Sequence, residues 1–232
     1  MAGVLLAAGD GSRLGQPKAL IVLGGQSLAR RGIGLLRAGG ADPVIVVTGA
    51  AGPGRLDAPG ADAGAAQETG PGGRDGAVAA SAAADPVGAA PVAADLITVH
   101  NPDWRAGMGG SLRAGLAAVP ASCGAAVLAL ADQPLVGPAA VARLLGAYAA
   151  GASIAVACYE GKPRNPVLIS REHWPEVVAL ATGDVGARPF LRAHQSDITR
   201  VECGDTGSPD DIDTPDDLER ITRLAESASF LT

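Results

Sequence analysis

Aromatic residues, cysteines and lysines are all scarce in this chain of 232 residues. Aromatics make up 3% of the sequence and hydrophobic residues 47%, so the core must be built mainly from alanine and valine. The three cysteines, Cys123, Cys158 and Cys203, lie far apart in the sequence. Their odd number and wide spacing argue against a disulfide framework and favour a reducing cytoplasm, with each thiol buried as a small apolar side chain.

Long apolar runs and an excess of positive charge are also absent. No window of about eighteen uninterrupted apolar residues occurs, so we expect no membrane span. No basic segment precedes the first apolar run, so we expect no signal peptide. A formal net charge of -6 argues against a nucleic-acid partner, because nucleic-acid-binding proteins usually carry a basic face. Local positive charge can still attract an anionic small molecule.

The start of the chain joins an apolar run to a glycine-rich loop. The run over residues 4–7 predicts a strand buried on both faces. The loop that follows contains Gly9, Gly11, Ser12, Arg13, Gly15 and Lys18. Glycines let backbone N–H groups approach an anion, and guanidinium and ammonium groups bind phosphate oxygens. The sequence therefore predicts a triphosphate-binding loop at the carboxyl edge of a sheet.

An ordinary strand-to-helix turn is the alternative interpretation of this loop, because the chain contains 33 glycines. The loop matches neither the P-loop pattern GxxxxGK[ST] nor the dinucleotide pattern GxGxxG. Lysine usage favours a functional loop. Arginine supplies nearly all of the positive charge, and the only lysines in the sequence are Lys18 and Lys162.

The stretch LAAGDGSRLGQPK, residues 6–18, resembles the signature LAAGxGxRxGxxK of the MobA-like nucleotidyltransferases. The resemblance implies a loop that holds the phosphates of a nucleoside triphosphate. It implies that Arg13 and Lys18 are catalytic residues that neutralise charge as pyrophosphate leaves. The nucleotide-binding residues that it implies in this part of the chain are Leu6, Ala7, Ala8, Gly9, Gly11, Ser12 and Thr48.

Short β-rich runs alternate with alanine- and leucine-rich stretches along most of the chain. Strands are predicted over residues 4–7, 43–48, 96–100, 125–130, 153–158 and 198–203. Helices are predicted over residues 27–38, 111–119, 139–149, 172–181 and 215–227. The alternation predicts one α/β domain, residues 1–232, with a Rossmann-like, mostly parallel sheet and helices on both faces. The resemblance implies the nucleotide-diphospho-sugar transferase type of this fold.

Residues 50–94 form a low-complexity insertion in that domain, rich in alanine, glycine, proline and aspartate. They contain almost no large apolar residues, so they cannot bury enough surface to offset the entropy of ordering. We expect a mobile excursion with one weak helix near residues 76–84. A neutral insertion and a lid over the nucleotide both stay open as its role.

A glycine-rich segment follows the third predicted strand and leads into a helix that is predicted to begin near Ser111. Ser111 suits a helix N-cap, and a helix N-terminus at this edge would also bind an anion or a base edge. The segment NPDWRAGMGGSLRAG, residues 101–115, resembles the pattern NxxWxxGMxxSLxxG of the molybdopterin cytidylyltransferase branch. The resemblance implies that Gly110 and Ser111 border the nucleobase and that Asn101 lies close by. Trp104 is equally compatible with plain packing.

Two aspartates are candidate metal ligands. Asp132 follows the apolar run 125–131, at the carboxyl end of a predicted strand, with a turn or N-cap as the alternative role. Asp213 precedes Thr214 and Pro215, which together predict a helix start, and capping explains most of the neighbouring acids. The two segments resemble the family motifs LxDxPxV and DIDTPxDL. The resemblance implies that Asp132 and Asp213 hold Mg²⁺ (or Mn²⁺), which suits one or two carboxylates.

Positive charge is concentrated between residues 159 and 188 of an otherwise acidic chain. A solvated loop is one interpretation. The GxPxxPVL segment and GDVGAR, residues 183–188, resemble segments that line the pterin-phosphate pocket of cytidylyltransferase members. The resemblance implies the acceptor-binding residues Lys162, Arg164, Asn165, Asp184 and Arg188, and basic groups suit a phosphomonoester.

Together these motifs imply transfer of CMP from CTP to metal-loaded molybdopterin with release of pyrophosphate. A molybdoenzyme that receives the cofactor is a further implied partner. Three alternatives stay open: a transferase of the same fold for GTP or for a sugar or other phosphate, a non-catalytic nucleotide or cofactor carrier, and a purely structural domain. The presence of Lys18, Asp132 and Asp213 counts against a carrier.

Overall fold

The computed structural model describes residues 1–52, 55–56 and 96–229. The strands are β1 (Ala2–Ala7), β2 (Val22–Leu23), β3 (Gln26–Ser27), β4 (Val44–Thr48), β5 (Leu96–His100), β6 (Ala125–Leu130), β7 (Ile154–Tyr159), β8 (Lys162–Ser170) and β9 (Ile198–Glu202). The α-helices are α1 (Leu28–Ala38), α2 (Met108–Ala117), α3 (Pro138–Ala149), α4 (Trp174–Leu180), α5 (Arg188–Ala193) and α6 (Pro215–Ser229). Most of the predicted insertion 50–94, including its weak helix, lies outside the described residues.

Seven strands form one sheet in the order β5-β4-β1-β6-β8-β7-β9, and β2 pairs with β3 in a small antiparallel ribbon. β1 pairs in parallel with β4 and β6, β4 with β5, and β7 with β9. Among the described strands of the large sheet, β8 is the one that runs antiparallel, to both β6 and β7. The predicted α/β fold with a mostly parallel sheet is confirmed.

Helices cover both faces of this sheet. Successive strand residues point to opposite faces. Leu5 and Val46 therefore pack under α1 and α3, while Val4 and Ile45 pack under α2, α4 and α5. All three cysteines are buried and free, as expected from the sequence. Across the described segments, we find no helix with both the length and the apolar character needed to cross a bilayer.

Strand β8 is not among the strands predicted from the sequence, where a solvated loop is one interpretation of this positively charged segment. Its two halves explain the error. Residues 167–169 pair with both β6 and β7, whereas residues 162–164 pair with β7 only. Pro163 lies in the N-terminal part of β8, where one side of the strand has no partner among the described strands. The N–H group that proline lacks would therefore make no hydrogen bond to a neighbouring strand. The interpretation of residues 159–171 as a solvated loop is therefore wrong.

Two helix predictions also need correction. Helix α2 begins at Met108, with Gly107 at the N-cap, rather than near Ser111. Ser111 is not an N-cap, because it lies buried inside the first turn of α2. Helix α5 was missed, because its six residues are too few to show a helical period.

His194 joins α4 and α5 through two hydrogen-bonded carboxylates. Its Nε2 lies 3.0 Å from Glu176 Oε2 and its Nδ1 3.3 Å from Asp197 Oδ2, while its ring packs on Phe190. The hydrogen bonds to Glu176 and Asp197 raise the pKa of His194. A raised pKa in the folded state means that the folded protein binds the proton more tightly than the unfolded chain.

The stability that His194 contributes is therefore fully present below the ordinary histidine pKa of about 6.5 and is lost as the pH rises through the folded-state value. We expect His194→Gln to lower the melting temperature most at about pH 6 and progressively less above that pH. Thermal melts of both proteins across this range check the prediction. Parallel curves would show that the ring acts by packing on Phe190 alone.

Candidate active site

The glycine loop after β1 folds back on itself through one close backbone contact. Gly11 has φ 59°, in the left-handed region that glycine adopts at no steric cost. A Cβ at Gly11 would lie 2.0 Å from the Gln16 carbonyl oxygen and 3.2 Å from the Lys18 nitrogen. Leu14 N–H donates to the Gly11 carbonyl at 2.7 Å, and Lys18 N–H donates to the Gly9 carbonyl at 3.3 Å. These contacts bring Lys18 back over the end of β1.

Gly11→Ala is expected to push the loop open and move Lys18, because the new methyl group would overlap the Gln16 carbonyl. We expect turnover to fall by about a hundredfold, the usual cost of misplacing a catalytic group by about 1 Å. Gly15→Ala is the matched control. Gly15 also has a positive φ, 71°, but a Cβ there meets nothing within 4 Å. Gly15→Ala should therefore cost only about 1–2 kcal/mol of folding stability, measured by denaturant unfolding.

Lys18 bridges the two aspartates that the sequence marks as metal ligands. Its Nζ donates to Asp132 Oδ2 at 2.8 Å and to Asp213 Oδ1. The side chains of Lys18 and Asp132 are 17% and 23% exposed and that of Asp213 is 47% exposed, so the cluster is open to solvent on one side. Two carboxylates 81 positions apart in the chain thus converge on one cationic nitrogen at the carboxyl edge of the parallel strands.

Backbone contacts between the C-terminal segment and the end of β6 bring Asp213 to this point. Ile212 N–H donates to the Asp132 carbonyl at 2.9 Å, and the Ile212 side chain is fully buried against Ile21 and Leu28. On the other side of Asp213, helix α6 starts with a reciprocal cap. Thr214 N–H donates to Asp217 Oδ2 at 3.0 Å, and Asp217 N–H donates to Thr214 Oγ1 at 3.2 Å.

The charges in this cluster shift one another's pKa values. Burial alone would lower the pKa of Lys18, but Asp132 and then Asp213 outweigh it, and the pKa is raised. The hydrogen bond from Lys18 lowers the pKa of Asp213. Burial, followed by the neighbouring Asp213, raises the pKa of Asp211. Lys18 therefore stays an ammonium and Asp213 a carboxylate across the neutral range.

A cleft of about 1780 Å³ extends from this cluster along the carboxyl edge of the parallel strands. It is large enough for a nucleotide and a second substrate together. Most of the residues predicted from the sequence line it: Leu6, Ala7, Ala8, Gly9, Gly11, Ser12, Arg13, Lys18, Ser111, Asp132, Lys162, Arg164, Asn165, Asp184, Arg188 and Asp213. The loop, the two aspartates and the basic segment thus share one concave surface.

Three predicted nucleotide-binding residues do not line the cleft among the described residues, namely Thr48, Asn101 and Gly110. Thr48 is fully buried, with its Oγ1 3.3 Å from His100 Nδ1. Asn101 is 93% buried, donates to Ser111 Oγ at 3.1 Å and accepts from the Asp103 N–H at 3.1 Å. Asn101 therefore positions Ser111, which does line the cleft.

Other residues of the cleft were not singled out as site residues from the sequence. They include Asp10, Arg105, Gln133, Asp211, Arg192, Gln195 and Arg200. Capping explains most of the acids near Asp213 in the sequence, but in the described structure Asp217 forms the cap with Thr214, and Asp211 lines the cleft. Arg192 and Arg200 lie on a short helix and a strand at the far end of the cleft, where no motif drew attention to them.

The described residues of the cleft offer no reactive thiolate or phenolate. Tyr159 lines the cleft, and burial raises its pKa to about 12. Cys158 and Cys203 are buried outside the cleft lining, and burial raises the pKa of both thiols. These groups stay protonated near pH 7 and are poor nucleophiles. The chemistry that the site supports is therefore charge stabilisation by Lys18, Arg13 and the loop N–H groups.

A glycine loop at the end of the first parallel strand, beside two carboxylates and a lysine, is typical of α/β enzymes that bind nucleoside triphosphates. The model of the MobA-like NTP transferase domain matches residues 3–198. The chain belongs to this family of nucleotidyltransferases. The resemblance seen in the sequence is thereby confirmed.

Three relatives illustrate the range of the similarity. Nicotine blue oxidoreductase of Paenarthrobacter nicotinovorans is 32% identical over 227 residues, 94% of this chain and 95% of its own. A probable molybdenum cofactor guanylyltransferase of Opitutus terrae is 45% identical over 47 residues, 20% of this chain and 23% of its own. A Mycobacterium tuberculosis protein crystallised in complex with manganese is 25% identical, with a TM-score of 0.68 over 96% of this chain and 97% of its own.

Proposed function

We propose that this protein transfers CMP from CTP to the phosphate of a molybdopterin-type acceptor and releases pyrophosphate. The observation that carries the proposal is the convergence of Asp132 and Asp213 on Lys18, next to the glycine loop and in one cleft with the basic segment. A structural domain would not need this arrangement. A non-catalytic carrier would not need two carboxylates opposite a triphosphate loop.

The donor set fits Mg²⁺ or Mn²⁺. Asp132 and Asp213 already converge on a cation, the Lys18 ammonium, and both offer the hard oxygen ligands that these metals prefer. Within the described residues, no group of three or more His, Cys, Asp or Glu side chains is arranged to hold a metal. Mg²⁺ needs only one or two carboxylates, since waters and substrate phosphates complete its shell. When bound, the ion supplies neutralising charge for the triphosphate.

The protein's own residues would perform the rest of the reaction by binding and orientation. The loop N–H groups and Arg13 hold the β- and γ-phosphates, and Lys18 faces the charge that develops as pyrophosphate leaves. An oxygen of the acceptor phosphate attacks the α-phosphorus in line, so that one P–O bond forms as the bond to pyrophosphate breaks. The acceptor phosphate is already ionised near pH 7, and no general base is required.

Molybdopterin as the acceptor and CTP as the donor rest on the segments GMGGSL, ADQP, GDVGAR and DIDTPDDL. The similarity to the probable molybdenum cofactor guanylyltransferase of Opitutus terrae supports the acceptor class and makes GTP the first rival donor. The manganese complex of the Mycobacterium tuberculosis relative supports a divalent metal. The free cysteines support a reducing compartment, so we place the reaction in the cytoplasm, with a molybdoenzyme receiving the product.

An oxidoreductase is the second candidate function, because the relative that aligns over 94% of this chain carries that name. Such a reaction needs a soluble electron donor, since the buried cysteines described above are protonated and unpaired. The cleft is large enough for a dinucleotide donor and an aromatic acceptor together.

One parallel set of assays separates these functions. Pyrophosphate release is measured with Mg²⁺ or Mn²⁺ and with CTP, GTP, ATP or UTP, each with and without molybdopterin. We expect release that requires molybdopterin and prefers CTP. Preference for GTP would show that the protein is a guanylyltransferase instead. Oxidation of NADH or NADPH in the presence of nicotine blue, without pyrophosphate release from any nucleotide, would favour the oxidoreductase.

A further inference from the structure

One end of the cleft carries a group of cations that have no carboxylate partner. It comprises Lys162, Arg164, Arg188, Arg192 and Arg200, all of them exposed. In the part of the chain that the structure describes, none of the five forms an ion pair. Arginines elsewhere do pair with acids: Arg143 meets Asp205 and Arg220 meets Asp210, both at 2.6 Å.

The fold directs two unassigned arginines, Arg192 and Arg200, into the part of the cleft that Arg188 lines, whereas Lys162 and Arg164 pair with Tyr159 and Ala157 on the other face of β7. Arg188 and Arg192 are four residues apart on α5, so they lie on one face of that helix. Arg200 on β9 is the register partner of Val156 on β7, and paired residues point to the same face of a sheet. Val156 lines the cleft, which fixes the direction of Arg200. Gln195, which follows α5, lines the same cleft and offers an uncharged hydrogen-bond donor.

The charge in this end of the cleft exceeds what one phosphate neutralises. A phosphomonoester brings a charge of about -1.5 to -2 near pH 7. Five cations line this region, against the carboxylates of Glu160 and Asp184. Lys162, Arg164 and Arg188, the predicted acceptor-binding cations, are sufficient for that phosphate. With the two carboxylates counted, an excess of about one positive charge remains after that phosphate binds, and Arg192 and Arg200 are the cations not assigned to it.

We propose that Arg192 and Arg200, assisted by Gln195, form a subsite for a second anionic group of the acceptor. The proposal rests on the proposed function in one respect, that the acceptor occupies this end of the cleft. It assigns the acceptor to a chemical class: a phosphomonoester that carries a further anionic group, such as a second phosphate, a carboxylate or an anionic metal centre, at a distance from the first. A phosphate ester with no further anionic group would contact only some of these cations.

Binding of two simple probes tests this subsite on the full chain. Glycerol 3-phosphate has one anionic group, and fructose 1,6-bisphosphate has two. Isothermal titration calorimetry compares the wild type with the Arg192→Gln, Arg200→Gln double variant. We expect the wild type to bind the bisphosphate about tenfold more tightly than the monophosphate, and the double variant to lose that advantage while keeping its affinity for glycerol 3-phosphate. Arg37→Gln, on α1 outside the cleft lining, is the matched control and should change neither affinity.

Two results would overturn the subsite. Equal affinity of the wild type for both probes would show that no second group is bound. An equal loss for both probes in the double variant would show that the arginines act only through the general potential of the cleft. Lys18→Met distinguishes the two ends of the cleft, because a bisphosphate that loses its affinity in this variant sits in the glycine loop instead, which also contradicts the proposal. Absence of pyrophosphate release with every nucleotide, together with the expected binding pattern, would overturn the proposed function and support the subsite.

Discussion

Lys18→Met is expected to lower turnover by about a thousandfold while making the metal site easier to fill. The loss of activity follows from the proposed function, in which the Lys18 ammonium faces the leaving pyrophosphate, since removing a group that stabilises transition-state charge costs about 10²–10³ in rate. The easier filling follows because the ammonium occupies the space between Asp132 and Asp213 and competes for the same oxygens. Titration of Mn²⁺ without nucleotide, followed by the EPR signal of the free ion, should therefore show tighter binding than in the wild type.

The same variant should be less stable than the wild type when no metal is present. Two carboxylates would face each other without a cation between them, at a site that is partly exposed. The expected loss lies between those of exposed and buried ion pairs, about 1–2 kcal/mol, and Mn²⁺ should restore it. Lys162→Met makes the same chemical change at the other end of the cleft and should leave Mn²⁺ affinity unchanged. Equal Mn²⁺ affinity in the Lys18 variant and the wild type would remove Lys18 from the metal site.

Asp132→Asn is expected to lower turnover by about a thousandfold and to leave the fold intact. The amide keeps the shape of the side chain and one oxygen for the Lys18 hydrogen bond, but it loses the charge that attracts a divalent cation. Pyrophosphate release and a thermal melt, measured on the same preparation, check both parts. Asp205→Asn, at an exposed pair with Arg143, is the control and should retain full turnover. Near-normal turnover of Asp132→Asn would exclude Asp132 from the reaction.

Local sequence patterns were sufficient to predict the parallel strands β5, β4, β1 and β6 and the glycine loop after β1. β1, β4 and β6 are almost continuous apolar runs, because parallel strands covered by helices on both faces need apolar residues at every position. Since each such strand ends at the same edge, the placement of the glycine loop and of Asp132 in one cleft follows from the sequence. The helix start at Thr214 was equally readable, because a capping residue followed by proline is a local signal.

The positions of residues that depend on contacts distant in the sequence could not be predicted from local patterns. Nothing local to Asp213 reveals that the Ile212 N–H bonds to the Asp132 carbonyl, yet this bond is what brings the second carboxylate to the first. Prolines lower the strand propensity of the β8 sequence. The sequence does not show that one side of this strand end lacks a partner, which is the condition under which a strand tolerates proline. Arg200 looked like an ordinary strand residue until its register with Val156 showed which face it occupies.

The reversed direction of β8 has a consequence for how acceptor choice can diverge within this architecture. A parallel strand contributes its end to the cleft, whereas β8 contributes its beginning, Lys162–Asn165, together with the short turn at Glu160 and Gly161. Residues 167–169, at the other end of β8, are in register with both β6 and β7. The hairpin tip can therefore lengthen, shorten or change its charge while Lys18 and Asp132 keep their positions. Under the proposed function, a change of a few residues at this tip would therefore alter the acceptor without altering the nucleotide half of the sheet.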